Sequence, residues 1–287
     1  MTRSMSIVAL VLAALSGAMW SQRAHAAASY DNCTGFITSL PAVVSTPGTW
    51  CLKQDLSTAL TSTVAIQIDS SDVTIDCNNY KVGGLAAGEG TFSYGISATN
   101  NARNITIRHC NIRGFYIGIV LSSGDPSIGG HLIEDNRLDG NIAYGIEVFA
   151  NGSIVRRNLV NDTGFITLDG GGEAIYVVGS TDVLDNTVAG VTATGSYSAR
   201  GIEVQQDSGS IAGNRIRGVV GGSQQVGIVA AFTSHATIRD NNLIGNGVGS
   251  GGVYCSDANG IVKDNVINAM GSAISGCTDG GGNDIAF

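Results

Sequence analysis

Ala236-Thr237-Ile238-Arg239-Asp240-Asn241-Asn242-Leu243-Ile244-Gly245 holds a short apolar strand, a bend at asparagine and a second strand that glycine stops. The asparagine returns as Asn136, Asn158, Asn186, Asn214, Asn241 and Asn265, with Cys110 in the same slot one turn earlier, at spacings of 26, 22, 28, 28, 27 and 24 residues. A fixed slot recurring every 22 to 28 residues marks a solenoid, in which each turn hides its apolar face on its neighbours.

Two further columns share the period. A small residue followed by Ile or Val recurs at Ile96, Ile119, Ile146, Ile175, Ile202, Ile228, Val253 and Ile274. Apolar residues also stand three before the bend (Ile107, Ile133, Val155, Val183, Ile211, Ile238, Val262) and two after it (Ile112, Leu138, Val160, Val188, Ile216, Leu243, Ile267). Alternation within each segment puts these on one face and polar residues on the other, as in strands. The expected fold is all-β, a parallel β-helix of about eight to nine coils with three short strands per coil and an asparagine ladder at the bend. A sharp bend favours a left-handed backbone, which asparagine tolerates.

Two other repeats overlap this period. A leucine-rich repeat has no place for the Gly-Ile-x-Val strand, and Gly170-Gly171-Gly172 and Gly221-Gly222 fall where it would need a helix. Calcium-binding nonapeptides have meaning only in tandem, and Gly280-Gly281-Gly282-Asn283-Asp284 is a single copy. With 41 glycines and 6% aromatic residues, a core of large side chains is also excluded.

Residues 1–26 carry Arg3, an apolar run from Ile7 to Leu15 and the small-residue site Ala24-His25-Ala26, and read as a signal peptide. The run is shorter than the roughly 20 residues of a spanning helix, so no membrane span is expected after cleavage. Residues 27–60, with Pro41 and Pro47-Gly48, read as an irregular N-terminal cap, and 61–287 as the β-helix. Six cysteines in an exported chain favour disulfides. Of fifteen possible connectivities the preferred one joins neighbours, Cys33 with Cys51 and Cys255 with Cys277, leaving Cys77 with Cys110. The expected location is secreted or periplasmic, and the expected state a monomer.

The formal charge of -8 becomes -10 without the two arginines of residues 1–26. Nucleic acid, which needs clustered cations, is excluded as a partner, and a polyanionic glycan would need a bridging cation. The histidines His109, His131 and His235 occupy unrelated slots and read as surface residues. Asp76, Arg108, Glu134 and Arg156 alternate in sign at coil spacing and read as a surface ion-pair ladder. Calcium is the one candidate cofactor, between Asp240 and Asp264 on adjacent coils, although an acid before a bend is more simply a hydrogen-bonding residue of the turn. The sequence contains no CxxC or histidine-rich metal motif.

The stretch from about 60 to 278 resembles right-handed parallel β-helices of the pectin-lyase-like superfamily. The segment Cys33, Pro47-Gly48-Thr49-Trp50-Cys51, Asp55-Leu56 and Val73-Thr74-Ile75-Asp76-Cys77-Asn78-Asn79 looks like the opening of secreted right-handed β-helix repeat proteins. The resemblance implies a polysaccharide partner lying along the sheet of the Gly-Ile-x-Val strands. Their outward residues are then Ser97, Val120, Glu147, Tyr176, Glu203, Val229, Tyr254 and Ser275.

Glu147 and Glu203, two coils apart with Tyr176 between them, form the candidate catalytic group, because carboxyls about 6.5 to 9.5 Å apart suit an inverting glycosidase. Tyr144, Glu173, Arg200, Gln205 and Tyr254 are candidate substrate-binding residues, the tyrosines as stacking surfaces. The paired-aspartate, Gly-His-Gly and Arg-Ile-Lys motifs of polygalacturonases are missing, as are the Asp-Pro-His motif of alginate epimerases and the arginine-centred motif of pectate lyases. A fold does not confer its relatives' activity. The alternative is a noncatalytic structural or cell-surface protein for which the β-helix is a durable rod. Walls built from the long loops 163–173, 193–200 and 219–225 would favour the first reading, and a flat face the second.

Overall fold

A computed structural model describes residues 30–99, 101–122, 128–165, 168, 170–206, 209–232, 235–257 and 259–287. The signal-peptide reading of 1–26 lies outside them. The unit Asn32–Phe287 is a parallel β-solenoid with almost no helix. Every ladder between strands is parallel, because each chain segment pairs with its counterpart one turn away. Among the described residues no helix is long and apolar enough to cross a membrane.

Three ladders make up the wall. The first carries the Gly-Ile-x-Val strands, including Tyr94–Ala98, Ile117–Ser122, Tyr144–Phe149, Gly172–Val178, Ser198–Gln205 and Gln224–Ala231. The second, of eleven strands, runs from Gly35–Ile37 to Thr278–Gly281 and holds the strands before the bend. The third follows the bend. It merges with the first where Asn242–Cys255 and Val266–Ser275 run through both without a break. Strand pairing also reaches back into the segment expected to be an irregular cap: Gly35–Ile37 pairs with Gly48–Leu52, and Ala42–Val44 with Val64–Ile68.

The repeat columns are the core. Ile96, Ile119, Ile146, Ile175, Ile202 and Ile228 align in register and are buried, and so do Ile107, Ile133, Val155, Val183, Ile211, Ile238 and Val262 in the second ladder. Small residues before the first-ladder isoleucines are required by close approach. A Cβ on Gly145 would lie 2.6 Å from the Ala174 carbonyl oxygen and 2.5 Å from Val160.

At the bend, each asparagine side chain bonds to both neighbouring coils. Asn186 Oδ1 accepts from the backbone N–H of Asn158 at 2.9 Å and from its Nδ2 at 3.0 Å, while Asn186 Nδ2 donates to the Val155 carbonyl and to Asn214 Oδ1. The ladder starts where Cys110 N–H donates to Asn136 and continues one rung beyond the sequence expectation, to Asn283, which accepts from Asn265. The glycine-rich residues 280–284 therefore belong to one more coil.

The left-handed residue is not the asparagine. It is the one before it: His109, Asp135, Arg157, Asp185, Asp240 and Asp264 all have φ between 53° and 57°, and Gly213 fills the slot at 69°. The asparagine instead points inward, where its amide replaces the backbone partners that a bend removes. This accounts for the acids before the bend. Asp240 pairs with Arg239 at 2.6 Å, and among the described residues no group of three or more His, Cys, Asp or Glu converges as metal ligands.

All three disulfides join the expected partners, Cys33–Cys51, Cys77–Cys110 and Cys255–Cys277, and fit an oxidising compartment. The sign-alternating column forms ion pairs between Asp76 and Arg108 and between Glu134 and Arg156, both at 2.8 Å. His131, expected at the surface, is buried instead. Its Nδ1 accepts from the Ile105 N–H at 3.3 Å, and burial pulls its pKa down to about 4, so the ring is neutral. It sits in a slot that neighbouring coils fill with Ser153 and Thr181, small polar groups that also satisfy backbone.

Asn186→Ala removes four hydrogen bonds and strands a buried N–H on Asn158. Chemical denaturation should show a loss of about 2 to 5 kcal/mol. Asn283→Ala, at the partly exposed end of the ladder, should cost clearly less; equal losses would mean that the ladder contributes nothing beyond local turn formation.

Candidate functional site

Strand pairing places the outward column in one line: Ser97, Val120, Glu147, Tyr176, Glu203, Val229, Tyr254 and Ser275 are successive register partners. A second line lies three residues earlier along each strand and joins Tyr144, Glu173, Arg200, Val226, Gly251 and Ser272. With strands about 4.8 Å apart, the Glu147 and Glu203 backbones are separated by about 9.6 Å.

A cleft of about 520 Å³ opens beside these lines. Tyr116, Tyr144, Phe165 and Tyr197 supply its aromatic surface, and Glu173 and Arg200 its charges. Its walls come from Gly170-Gly171 and Ser196–Ser198, which lie in two of the three segments expected to be loops. Strand takes up the ends of those two segments, through Leu159–Gly164, Gly172–Val178, Thr187–Ala193 and Ser198–Gln205. Low side-chain volume at the glycines leaves the opening beside Phe165 and Tyr197.

The ring of Tyr176 stacks on Tyr144 at a centroid distance of 5.7 Å and meets Phe149 edge-on at 5.4 Å. Its hydroxyl is held protonated, with a pKa pushed up to about 12 by burial and then by Glu203, Glu173 and Glu147. Tyr144 is raised further, chiefly by burial. Both are therefore hydrogen-bond donors and stacking surfaces, not bases.

The three carboxyls differ in setting. Glu203, expected on an outward face, is only 3% exposed: Arg200 Nη1 pairs with its Oε2, and Gln205 Nε2 donates to its Oε1 at 2.6 Å. The side chains of Arg200 and Gln205 fold over it, so an outward position on the strand does not make its carboxyl free. Arg200 Nη1 also donates to Glu173 Oε1 at 2.9 Å. Glu173 Oε2 is buried with no hydrogen-bond partner, and burial, followed by repulsion from Glu203, raises its pKa to about 8 against the pull of Arg200. Burial lowers the Arg200 pKa, but Glu203 and Glu173 outweigh it and the guanidinium stays charged. Among the described residues Glu147 has no ion-pair partner; it is half-buried, and burial pushes its pKa up to about 7.

The candidate residues thus fall into three places. Tyr144, Glu173 and Arg200 line the cleft; Glu147, Tyr176, Glu203 and Gln205 lie on the adjoining sheet face; Tyr254 lines a different cleft three coils further on. Sequence reading missed Tyr116, Phe165 and Tyr197. Tyr116 reaches the cleft because its carbonyl accepts from Ala143 N–H one coil above, and its position just ahead of the Gly118-Ile119 strand was a usable signal. Phe165 and Tyr197 stand in connections whose lengths vary, so no repeat slot marks them.

No protein-family model matches the chain, and no curated protein does. Among solved structures it is similar to the Dettilon tailspike protein, at 14% identity and a TM-score of 0.59 over 88% of this chain and 60% of that one. It is also similar to the A-module of the Azotobacter vinelandii mannuronan C-5 epimerase AlgE6, at 14% identity and a TM-score of 0.34, over 91% of both chains. At such identity the tailspike likeness shows a shared fold, and the chain spans about three fifths of that protein.

A folded-state pKa above the unfolded one means that Glu147 favours folding when protonated. Its contribution is complete below about pH 4.5 and disappears as pH rises through about 7. Glu147→Gln should therefore leave Tm nearly unchanged at pH 5 and raise it at pH 8, by on the order of 2 kcal/mol of stability. A difference that does not change with pH would contradict the burial of this carboxyl.

Proposed function

We propose that the protein is a secreted β-helix of the pectin-lyase-like superfamily that binds a polysaccharide along its first ladder. The observation that carries this is the aromatic-walled cleft over Tyr144, set against a line of register partners that places one outward position every 4.8 Å or so. Tyrosine rings present apolar faces to sugar C–H groups, and the adjoining Glu173 and Arg200 offer hydrogen bonds to hydroxyls. A rod needed only for rigidity has no use for four aromatic side chains around one opening.

Cleavage is the second reading, and Glu147 favours it. A carboxyl with a pKa near 7 and no ion-pair partner is about half protonated at neutral pH, the condition for a general acid. In hydrolysis it gives its proton to the glycosidic oxygen, while water adds to the anomeric carbon and releases a proton to a carboxylate. Glu203, two rungs along, is the carboxylate we assign to that second role, once its bonds to Arg200 and Gln205 are exchanged for water.

The test is a glycan array followed by reducing-end assays on the purified mature chain, with and without calcium. Binding to a polysaccharide is expected, lost on Tyr144→Ala. Where cleavage is found, Glu147→Gln should lower it by 100-fold or more with binding retained. Activity should be present below about pH 7 and decline above it as Glu147 loses its proton. Absence of any glycan binding would put the structural reading ahead, and undiminished cleavage by both Glu147→Gln and Glu203→Gln would remove the carboxyl pair.

A further inference from the structure

A second cleft, of about 400 Å³, lies on the same face. Its lining includes Gln224, Gln225, Ser250, Ser272, Ser275 and Tyr254, and among the described residues contains no ionisable side chain other than the tyrosine. Tyr254 is 42% exposed, an aromatic ring open to solvent on a strand face. Amide and hydroxyl groups beside such a ring suit an uncharged polyhydroxylated ligand: they donate and accept hydrogen bonds without a counter-charge.

The two clefts share one line of register partners. Tyr144, Glu173 and Arg200 stand at the first, and Gly251 and Ser272 at the second, with Val226 between the groups and against the second cleft. Five rungs separate Tyr144 from Ser272, about 24 Å at the strand spacing. A ligand touching both is therefore extended along the solenoid axis.

Charge narrows the ligand further. Among the described residues, Arg200 is the one lysine or arginine lining either cleft, and its Nη1 already pairs with both Glu173 and Glu203. Glu147 lies on the adjoining face. A sugar carboxylate or sulfate placed here would meet no uncommitted cation, in a half-buried setting where an unpaired charge is poorly solvated. Charged glycans thus find no free counter-charge at the site itself, quite apart from the net charge of the chain.

On the reading that this face binds a polysaccharide, we infer that its ligand is an uncharged glycan chain spanning both clefts, held by Tyr144 at one end and Tyr254 at the other. Any cleavage is then hydrolysis. Elimination needs a carboxylate on the sugar to acidify the neighbouring C–H, and an uncharged chain offers none.

The experiment compares soluble neutral glucans, mannans and galactans with polygalacturonate, alginate and sulfated galactan, on the full mature chain at low and moderate salt. Neutral chains should bind, with little salt dependence, and affinity should rise with length up to chains of about 24 Å and then level off. Tyr254→Ala, at an exposed position and checked by its melting temperature, should weaken long chains about tenfold and short ones less than twofold. Preference for a uronate or sulfated polymer, or indifference of long chains to Tyr254→Ala, would overturn this inference and leave polysaccharide binding standing. Failure to bind any glycan would remove both.

Discussion

Everything in this molecule depends on satisfying backbone hydrogen bonds at a bend that is buried. A solenoid coil must turn sharply between its second and third strands, and the peptide groups there lose their strand partners while remaining out of reach of water. Asparagine solves this with one side chain that both donates and accepts across coils, from Cys110 N–H at one end to Asn283 at the other. With the bends tied, the coils cannot slip relative to one another, and the isoleucine and valine columns are locked in line. The outward residues between them inherit the same register, which is why Glu147, Tyr176 and Glu203 stand at successive rungs.

That coupling explains what was legible in the sequence. Inward Ile and Val, the Asn slot and the outward column all repeat in phase, and a repeat makes each position a prediction about its neighbours. The left-handed φ at Asp185 and its equivalents was assigned to the wrong residue, because a bend motif reads the same whichever of two adjacent residues takes the strained conformation. His131 was misplaced for a related reason. Its slot holds Ser153 and Thr181 in later coils, and a histidine in place of a small hydroxyl residue hides the equivalence.

Side-chain depth on the outer face was not legible at all. Period-two alternation separates in from out, yet Glu203 is outward in register and still 3% exposed, since Arg200 and Gln205 from its own strand fold over it. Glu147 occupies the equivalent position two rungs away without such a cover, because Tyr144 and Phe149 flank it where Arg200 and Gln205 flank Glu203. Two carboxyls in one column therefore have different chemistry, set by residues three before and two after each.

Uncharged ligands and an acidic solenoid are consistent with each other. A chain of formal charge -8 with few cations resists association with itself and with other polyanions, which helps an object made of stacked strands remain soluble. On the proposed reading, the cost is that the binding face cannot use charge to hold a ligand: Arg200 is occupied in keeping Glu173 and Glu203 together. Recognition must then come from ring faces and hydrogen bonds, each weak, so useful affinity requires many of them along one line. A solenoid supplies such a line by its construction, and the same interval that lets asparagine bond to asparagine would set the interval at which the proposed long ligand is gripped.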